Sequence, residues 1–431
     1  MMRVLSIALG LFLAGNAMAE SKGLSDIYNL AVANDPSLRA QVAIKDSSAF
    51  RAEQISAGDG LSVDASTSVK RTENFKTSDG YQTGSATVTV KMPLIDRGLE
   101  AQIKGEDASA RRAVANFNAY KQTHILKVAE LYFGVLSAQQ DLSAANAEVQ
   151  AFERQLEQAQ ERLAVGIGTR VDVDQARARF DLAQVGLISA DVALQTARSD
   201  LQQLINTTVP ELADLSTNYL VDAQRSLSED LQMFVDKHPK VVGQEEVYQS
   251  ELANLEEARS ETSAEVNLSS IFSLSDTAGS KTASTNTSSR NNVLAFTLSM
   301  PLYNNRASDA KVAVAQADVY RSQADLERVK REVASGMRIA HRKLEASVRT
   351  VEARRLAIVS AASRVEATEA AYGVGSGDIV EVLNAKKDLF AAERDFAKAR
   401  YTHIVRQLQL DIAIGDLSES AVARIDQYLV Q

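Results

Sequence analysis

The sequence contains no cysteine among its 431 residues. This absence excludes disulfide bonds, thiolate metal sites and a lipid attached to an N-terminal cysteine. The four histidines, His124, His238, His341 and His403, are widely separated, and no two are spaced as a pair of ligands on one helix face would be. The sequence therefore predicts neither a metal site nor another cofactor, and no group of residues resembles a catalytic centre.

Long apolar runs are also missing. Beyond residues 1–19, no stretch approaches the roughly 18 consecutive apolar residues that are typical of a membrane-spanning helix. Residues 1–19 combine Arg3, a short apolar run and the sequence Ala17-Met18-Ala19, which is the pattern of a signal peptide with its cleavage site. We therefore expect an exported protein without a transmembrane helix.

Positively charged residues are fewer than negatively charged ones. The sequence has 47 Lys and Arg residues and 56 Asp and Glu residues, which gives a net charge of −9. A nucleic-acid partner would require a basic face, so none is expected. Hydrophobic residues still make up 45% of the chain, which argues against disorder. Tryptophan is absent and only five prolines occur, a composition that favours long helices.

The longest helical pattern extends from Arg97 to Leu163 without a proline. In its second half, apolar residues recur at alternating spacings of three and four residues, as in a coiled coil. A helix of this length extends roughly 100 Å, whereas a compact domain of 431 residues has a radius of gyration of about 22 Å. The pattern therefore predicts an elongated wall of helices.

The same order of elements occurs twice, which indicates an internal duplication. We assign residues 20–226 to the first structural repeat and residues 227–431 to the second. Each repeat is expected to contain short helices, a β-hairpin (about 61–93 and 266–301), a long helix (about 97–163 and 305–372) and a final helix (about 169–206 and 378–414).

Both hairpins alternate apolar and polar residues over roughly ten positions, which is the length of a strand that crosses a membrane. The second strand of each hairpin leads into a Met-Pro-Leu sequence, which contains Pro93 in the first repeat and Pro301 in the second. Because proline cannot donate to a strand ladder, we expect these residues to end the strands and to turn the chain from the hairpin into the long helix.

Four strands cannot close a barrel, and an open edge in lipid would leave backbone groups unpaired. We therefore expect several chains to share one barrel. Three copies give twelve strands, whereas two copies give an eight-stranded barrel whose interior is filled by side chains. Four copies remain an alternative that the periodicity leaves open.

The final helix of the first repeat has apolar residues on two opposite sides, so it is expected to have a neighbour on each side. The weaker side consists of Ala178, Leu182, Val185, Ser189, Val192 and Thr196. The fold class that follows is mixed α and β. We expect a trimeric β-barrel in a membrane, with four strands from each chain, that continues into a long α-helical coiled-coil barrel.

Each long helix ends at a turn that begins with a Val-Gly pair. The first turn consists of Val165, Gly166, Ile167 and Gly168, and the second consists of Val374, Gly375, Ser376 and Gly377. We call these turns the first tip and the second tip. An acid, a valine and an alanine follow each tip at matching positions, namely Asp172, Val173 and Ala176, and Glu381, Val382 and Ala385.

The paired Met-Pro-Leu sequences and paired Val-Gly turns, in this order, resemble the outer membrane efflux protein family, the TolC-like channels. The resemblance covers the whole mature chain. It implies a homotrimer in contact with lipid in the outer membrane of a Gram-negative bacterium, extending into the periplasm. It also implies two partners, a periplasmic adaptor protein and an inner-membrane ABC or proton-driven transporter.

The resemblance further implies roles for individual residues. The eight tip residues would form the surface on which the adaptor docks. Acidic residues beyond the second tip line a closed constriction in relatives, and Glu381 and Asn384 occupy those positions here. In relatives, a tyrosine and an arginine at the second tip bind an aspartate near the first tip and keep the entrance closed. Tyr372 and Asp172 match this pair, whereas Gly377 occupies the arginine position.

The sequence therefore predicts a passive exit duct of a type I secretion or tripartite efflux system, gated at the tips. An exported structural coiled-coil protein, such as a filament or surface assembly, is the alternative. That alternative explains the helices but not the duplicated strands of membrane length. A periplasmic enzyme is a third hypothesis, which lacks any reactive group of residues. By family analogy alone, a protein cargo is favoured over a drug.

Overall fold

The computed structural model describes residues 21–74, 79–216, 219, 231–278, 287–303 and 306–430. The expected signal peptide lies outside these ranges. The first repeat contains α1 (Leu24–Asn34), α2 (Pro36–Ser56), a 3₁₀ turn (Ala57–Asp59), β1 (Ser62–Asn74), β2 (Asp79–Ile95), α3 (Arg97–Ala164) and α4 (Arg170–Ile205).

The second repeat follows the same order. It is preceded by the short strand β3 (Asp214–Leu215) and contains α5 (Leu231–Lys237), α6 (Pro239–Ser260), β4 (Glu265–Ala278), β5 (Thr287–Ser299), α7 (Ala307–Gly373) and α8 (Ile379–Ile414). The chain then continues into α9 (Glu419–Asp426) and β6 (Leu429–Val430). The mixed α and β class expected from the sequence is confirmed.

Short polar side chains cap the beginnings of several helices. Asp96 caps α3 by accepting a hydrogen bond from the amide of Leu99 at 2.9 Å. Asp35 caps α2 through the amide of Ser37 at 2.8 Å, and Pro36 occupies the first helical position, where its missing N–H costs nothing. These residues fix where the chain changes direction, because each cap satisfies an amide that the helix itself leaves unpaired.

The four long strands form one antiparallel sheet in the order β1-β2-β4-β5. Partners in register share a face, so one face carries an apolar row and the other a polar row. Met92, Leu268 and Phe296 form one apolar row, and Ser66, Thr87, Ser273 and Asn291 form a polar row on the opposite face. Within the described residues, the outer strands β1 and β5 each pair along one edge only.

The expectation that Pro93 ends its strand is wrong. Strand β2 continues to Ile95, and Pro93 lies opposite Asn267 with a shift of register between Pro93 and Ile95. A proline is accommodated at such an irregularity because the ladder needs no N–H from it there. In the second hairpin, β5 ends at Ser299, two residues before Pro301.

The helices form a wall that is one helix thick. Helix α3 packs against α2 and α4 on one side and against α6 and α8 on the other, and α7 packs against α6 and α8. The order is therefore α2–α3–α6–α7 near the sheet and α4–α3–α8–α7 near the tips, where α4 also contacts α8 directly. The free edges of this wall are α7 on one side and the α2 and α4 helices on the other.

The largest core lies midway along the wall. It joins α1, the middle of α3, the ends of α4 and α8, and α9. The hydroxyl of Tyr132 donates to the carbonyl of Ala213 at 2.6 Å, and the hydroxyl of Tyr401 donates to the carboxylate of Asp214 at 2.6 Å. These bonds attach the segment that links the two repeats to the long helices.

His238 caps α6 and contacts the end of α8. Its Nδ1 atom accepts a hydrogen bond from the amide of Lys240 at 3.2 Å, and its Nε2 atom lies 3.2 Å from the carbonyl oxygen of Ile412. These contacts require the neutral tautomer that carries its proton on Nε2. Burial lowers the pKa of His238, which keeps the ring in this neutral form.

We predict that His238→Asn reduces the loss of stability at acidic pH. Because the folded pKa of His238 is lowered, the unfolded chain binds more protons once the pH falls below about 6.5. The stability contributed by neutral His238 is present above that pH and is lost below it. Asparagine keeps the cap without titrating.

The measurement is the unfolding temperature, followed by circular dichroism, at about pH 7.5 and about pH 5. The decrease between the two pH values should be smaller in the variant than in the wild type. Some decrease remains, since burial also lowers the pKa of His124. An equal decrease in both proteins would contradict the role given to His238.

Candidate functional site

The two tips have the same backbone geometry. In the first, the amides of Ile167 and Gly168 donate to the carbonyl of Arg162 at 3.0 and 2.9 Å. In the second, the amides of Ser376 and Gly377 both donate to the carbonyl of Ala371 at 3.0 Å. Each turn thus satisfies carbonyl groups that the end of a long helix leaves unpaired.

The glycines of the tips are required for two different reasons. Gly166 and Gly375 have φ angles of +80° and +77°, which other residues adopt only with strain. At Gly377 the constraint is space, because a Cβ atom there would lie 3.0 Å from the Tyr372 amide nitrogen and 3.0 Å from the Ala371 Cβ atom. Any side chain at position 377 would therefore displace the turn.

Both tips present apolar side chains to solvent. Val165, Ile167 and Val374 are 70%, 67% and 81% exposed. These are three of the residues that the sequence assigns to adaptor docking. Apolar side chains at such exposure on a turn are suited to contact another protein.

Below the tips, a small apolar core joins the α3–α4 hairpin to the α7–α8 hairpin. It consists of Phe152, Ala159, Ala176, Ala183, Tyr372, Ile379, Val382 and Leu383. The alanines of α3 and α4 allow close approach of the helices. The second hairpin can therefore separate from the first only by exposing this core to water.

Tyr372 is the polar member of this core. Its side chain is buried, and the guanidinium carbon of Arg162 lies 4.5 Å from the centre of its ring. Burial raises the pKa of Tyr372, and the negative charges of Asp172 and Asp378 add to this effect, whereas the positive charge of Arg162 opposes it. The structure thus brings one cation and two carboxylates close to the tyrosine.

Asp172 has a local partner. Its carboxylate accepts a hydrogen bond from the amide of Thr169 at 2.9 Å, and the Thr169 hydroxyl accepts one from the amide of Asp172 at 3.2 Å. This reciprocal arrangement is a capping box that begins α4. Among the hydrogen bonds between described residues, none joins Asp172 to Tyr372, although the two are close enough to interact electrostatically.

The two expected constriction residues differ in their surroundings. Glu381 is exposed in the first turn of α8, where an acid is favoured by the helix dipole. The side-chain oxygen of Asn384 accepts a hydrogen bond from Arg179 at 2.7 Å. Asn384 therefore joins α8 to α4 within the chain.

Arg162 is the residue at this site that sequence reasoning missed. It is 210 residues from Tyr372 along the chain, so no local pattern connects them. Its position in the last turn of α3 indicates only a basic residue near a helix C-terminus.

Comparison with known proteins identifies the fold and the family. A profile of the outer membrane efflux protein family matches residues 27–207 and 236–416, one match in each repeat. The chain belongs to this family. It is 26% identical to the outer membrane protein TolC of Salmonella enteritidis, over 100% of this chain and 89% of that protein.

Other relatives extend the comparison. The chain is 24% identical to the proteases secretion protein PrtF of Dickeya chrysanthemi, over 94% of this chain and 91% of that protein. A crystal structure of CusC superposes with a TM-score of 0.80 at 17% identity, and the match covers 93% of this chain and 95% of CusC.

Membership of this family decides between the hypotheses drawn from the sequence. The chain is an outer membrane exit duct for type I secretion or efflux, located in the Gram-negative outer membrane and reaching into the periplasm, and not an enzyme. The exported coiled-coil filament is therefore rejected. None of the helices in the described ranges contains an apolar segment of the length that a membrane crossing requires.

We predict that Gly377→Ala loosens the second tip. The added Cβ atom would overpack the turn, at a cost of about 1–3 kcal/mol. Hydrogen exchange should therefore be faster at the amides of residues 376 and 377. Gly373→Ala is the matched control, because a Cβ atom there has no neighbour within 4 Å. Equal exchange in both variants would contradict this explanation.

Proposed function

We propose that three copies of the chain form one duct, in which twelve strands close a barrel in the outer membrane. The observation that carries this proposal is the four-stranded sheet with an apolar row on one face, whose outer strands β1 and β5 each have one unpaired edge within the described ranges. In lipid, each unpaired backbone group costs several kcal/mol, so β5 of one copy must pair with β1 of the next. Three copies of this sheet give twelve strands.

The helical wall supports the same arrangement. On α4, a stripe opposite the core consists of Leu182, Val185, Ile188 and Val192, which are 59–65% exposed in a single chain. The opposite edge of the wall, α7, exposes Val314, Tyr320, Ile339, Leu356 and Val359. Contact between α7 of one copy and α2 and α4 of the next would bury both edges and extend the barrel as a helical tube.

The tips form the entrance of the duct in this proposal. A periplasmic adaptor docks on the exposed apolar residues of both tips, and an inner-membrane ABC or proton-driven transporter supplies the energy. Glu381 and Asn384 of the three copies line the constriction at the entrance. Glu381 gives this ring negative charge, whereas Asn384 adds no charge to it. Asp172 and Tyr372 belong to the contact between the hairpins that must open for cargo to pass.

A protein cargo is favoured, because one relative that matches along nearly its whole length is named as a proteases secretion protein.

The direct test of the cargo is to delete the gene and to measure two properties against the parent strain, namely the set of secreted proteins and the susceptibility to drugs. Loss of a secreted protein supports the proposal. Drug susceptibility with an unchanged set of secreted proteins would assign the duct to efflux instead.

We predict that Val185→Glu prevents assembly of the trimer. The new carboxylate would be buried between α4 and the neighbouring α7, which costs several kcal/mol. Purified protein in detergent should then elute as a monomer and lose the trimeric band of unheated gels. Gln184→Glu is the matched control, because it adds the same charge at an exposed neighbouring position outside the stripe. Trimers in both variants would contradict this interface.

A further inference from the structure

We propose that Arg162 is the residue that holds the two tips of one protomer together, by covering the ring of Tyr372. This inference rests on the proposed function, since it names the contact that keeps the entrance closed. The contact is a cation over an aromatic face, and the tyrosine hydroxyl has no part in it. Arg162 acts as a positioning residue, because it determines where the second hairpin lies relative to the first.

The main chain of Arg162 is held by the first tip. Its carbonyl oxygen accepts hydrogen bonds from the amides of both Ile167 and Gly168, so the turn fixes its position. Its side chain reaches the other hairpin, where the guanidinium lies 4.5 Å from the Tyr372 ring centre and Nη1 lies 3.5 Å from the Tyr372 carbonyl oxygen. Arg162 thus connects the first tip to the end of α7, where the second tip begins.

The surroundings of Tyr372 favour a cation at this position. The ring lies in the last turn of α7, where the carbonyl ends of the helix are negative. Asp172 and Asp378 also act on Tyr372 with negative charge. A partly buried guanidinium between an aromatic face and these groups is stabilised more than it would be in water.

Two alternative contacts are disfavoured by the geometry. An arginine at position 377 would need a Cβ atom where the turn leaves no room, 3.0 Å from the Tyr372 amide nitrogen. One carboxylate oxygen of Asp172 accepts the amide hydrogen of Thr169 in the capping box, and among the hydrogen bonds between described residues none joins Asp172 to Tyr372. Arg162 therefore approaches the tyrosine from the first tip, where neither obstacle exists.

If the entrance opens because one hairpin moves away from the other, the guanidinium of Arg162 must leave the face of the Tyr372 ring. Arg162→Gln removes the cation and Tyr372→Leu removes the aromatic face. Each change should raise the basal conductance of the trimer in a planar bilayer roughly fivefold. Loss of a partly buried cation–π contact would shift the equilibrium between closed and open entrance by about this factor. Tyr372→Phe keeps the face and should conduct like the wild type.

Arg170→Gln is the matched control. It removes an arginine from the same hairpin whose side chain is 86% exposed and lies 3.9 Å from Asp174. It should leave the basal conductance unchanged. The double variant Arg162→Gln/Tyr372→Leu should conduct no more than either single variant, because both changes remove one and the same contact.

A second readout does not depend on conductance. Since the chain has no cysteine, spin labels can be placed at Ile167→Cys and Val374→Cys, in assemblies that contain one labelled copy. The distance between these exposed tip positions should lengthen or broaden with Arg162→Gln and with Tyr372→Leu, and not with Tyr372→Phe or Arg170→Gln.

The outcomes separate the possible explanations. Unchanged conductance and tip distance in both Arg162→Gln and Tyr372→Leu would overturn the role of Arg162. A rise with Tyr372→Phe would overturn it in favour of a hydrogen bond between the hydroxyl and Asp172. A wild-type chain that forms no channel would contradict the proposed function, while the spin-label distances would still decide on Arg162.

Discussion

The structure depends on the need to pair backbone hydrogen-bonding groups in a medium without water. Among the residues that the structure describes, the four-stranded sheet leaves the outer sides of β1 and β5 without partners. In water these groups would be hydrated, whereas in lipid they would cost several kcal/mol each. In the proposed duct, pairing with identical copies would satisfy them, so the membrane location of the family and the association of chains would have one physical cause.

The helices follow from the same requirement. If the sheets of several chains close a barrel, the helices below them must also form a closed wall. This explains why α4 has apolar residues on two opposite sides and why α7 exposes apolar residues along the other edge. Because the wall is one helix thick, the buried apolar clusters of its described residues lie midway along its length and below the tips. In the proposed duct, the tip contacts would therefore have a large influence on opening.

Periodic features could be predicted from the sequence, and contacts between distant segments could not. The strict apolar spacing in α3 and the paired glycine turns indicated a duplicated, elongated fold. Pro93 was misjudged because a shift of register, which depends on the partner strand, keeps it inside β2. Arg162 was missed because its contact with Tyr372 joins two hairpins. The bond from Arg179 to Asn384 was hidden for the same reason.

The central claim is that the open sheet of one chain is completed by other copies. Native mass spectrometry of the purified, detergent-released protein tests this most directly, because it counts the chains in each particle. The account predicts a particle of three chains as the dominant species, with little free monomer. A stable single chain, with its sheet edges unpaired in detergent, would contradict it.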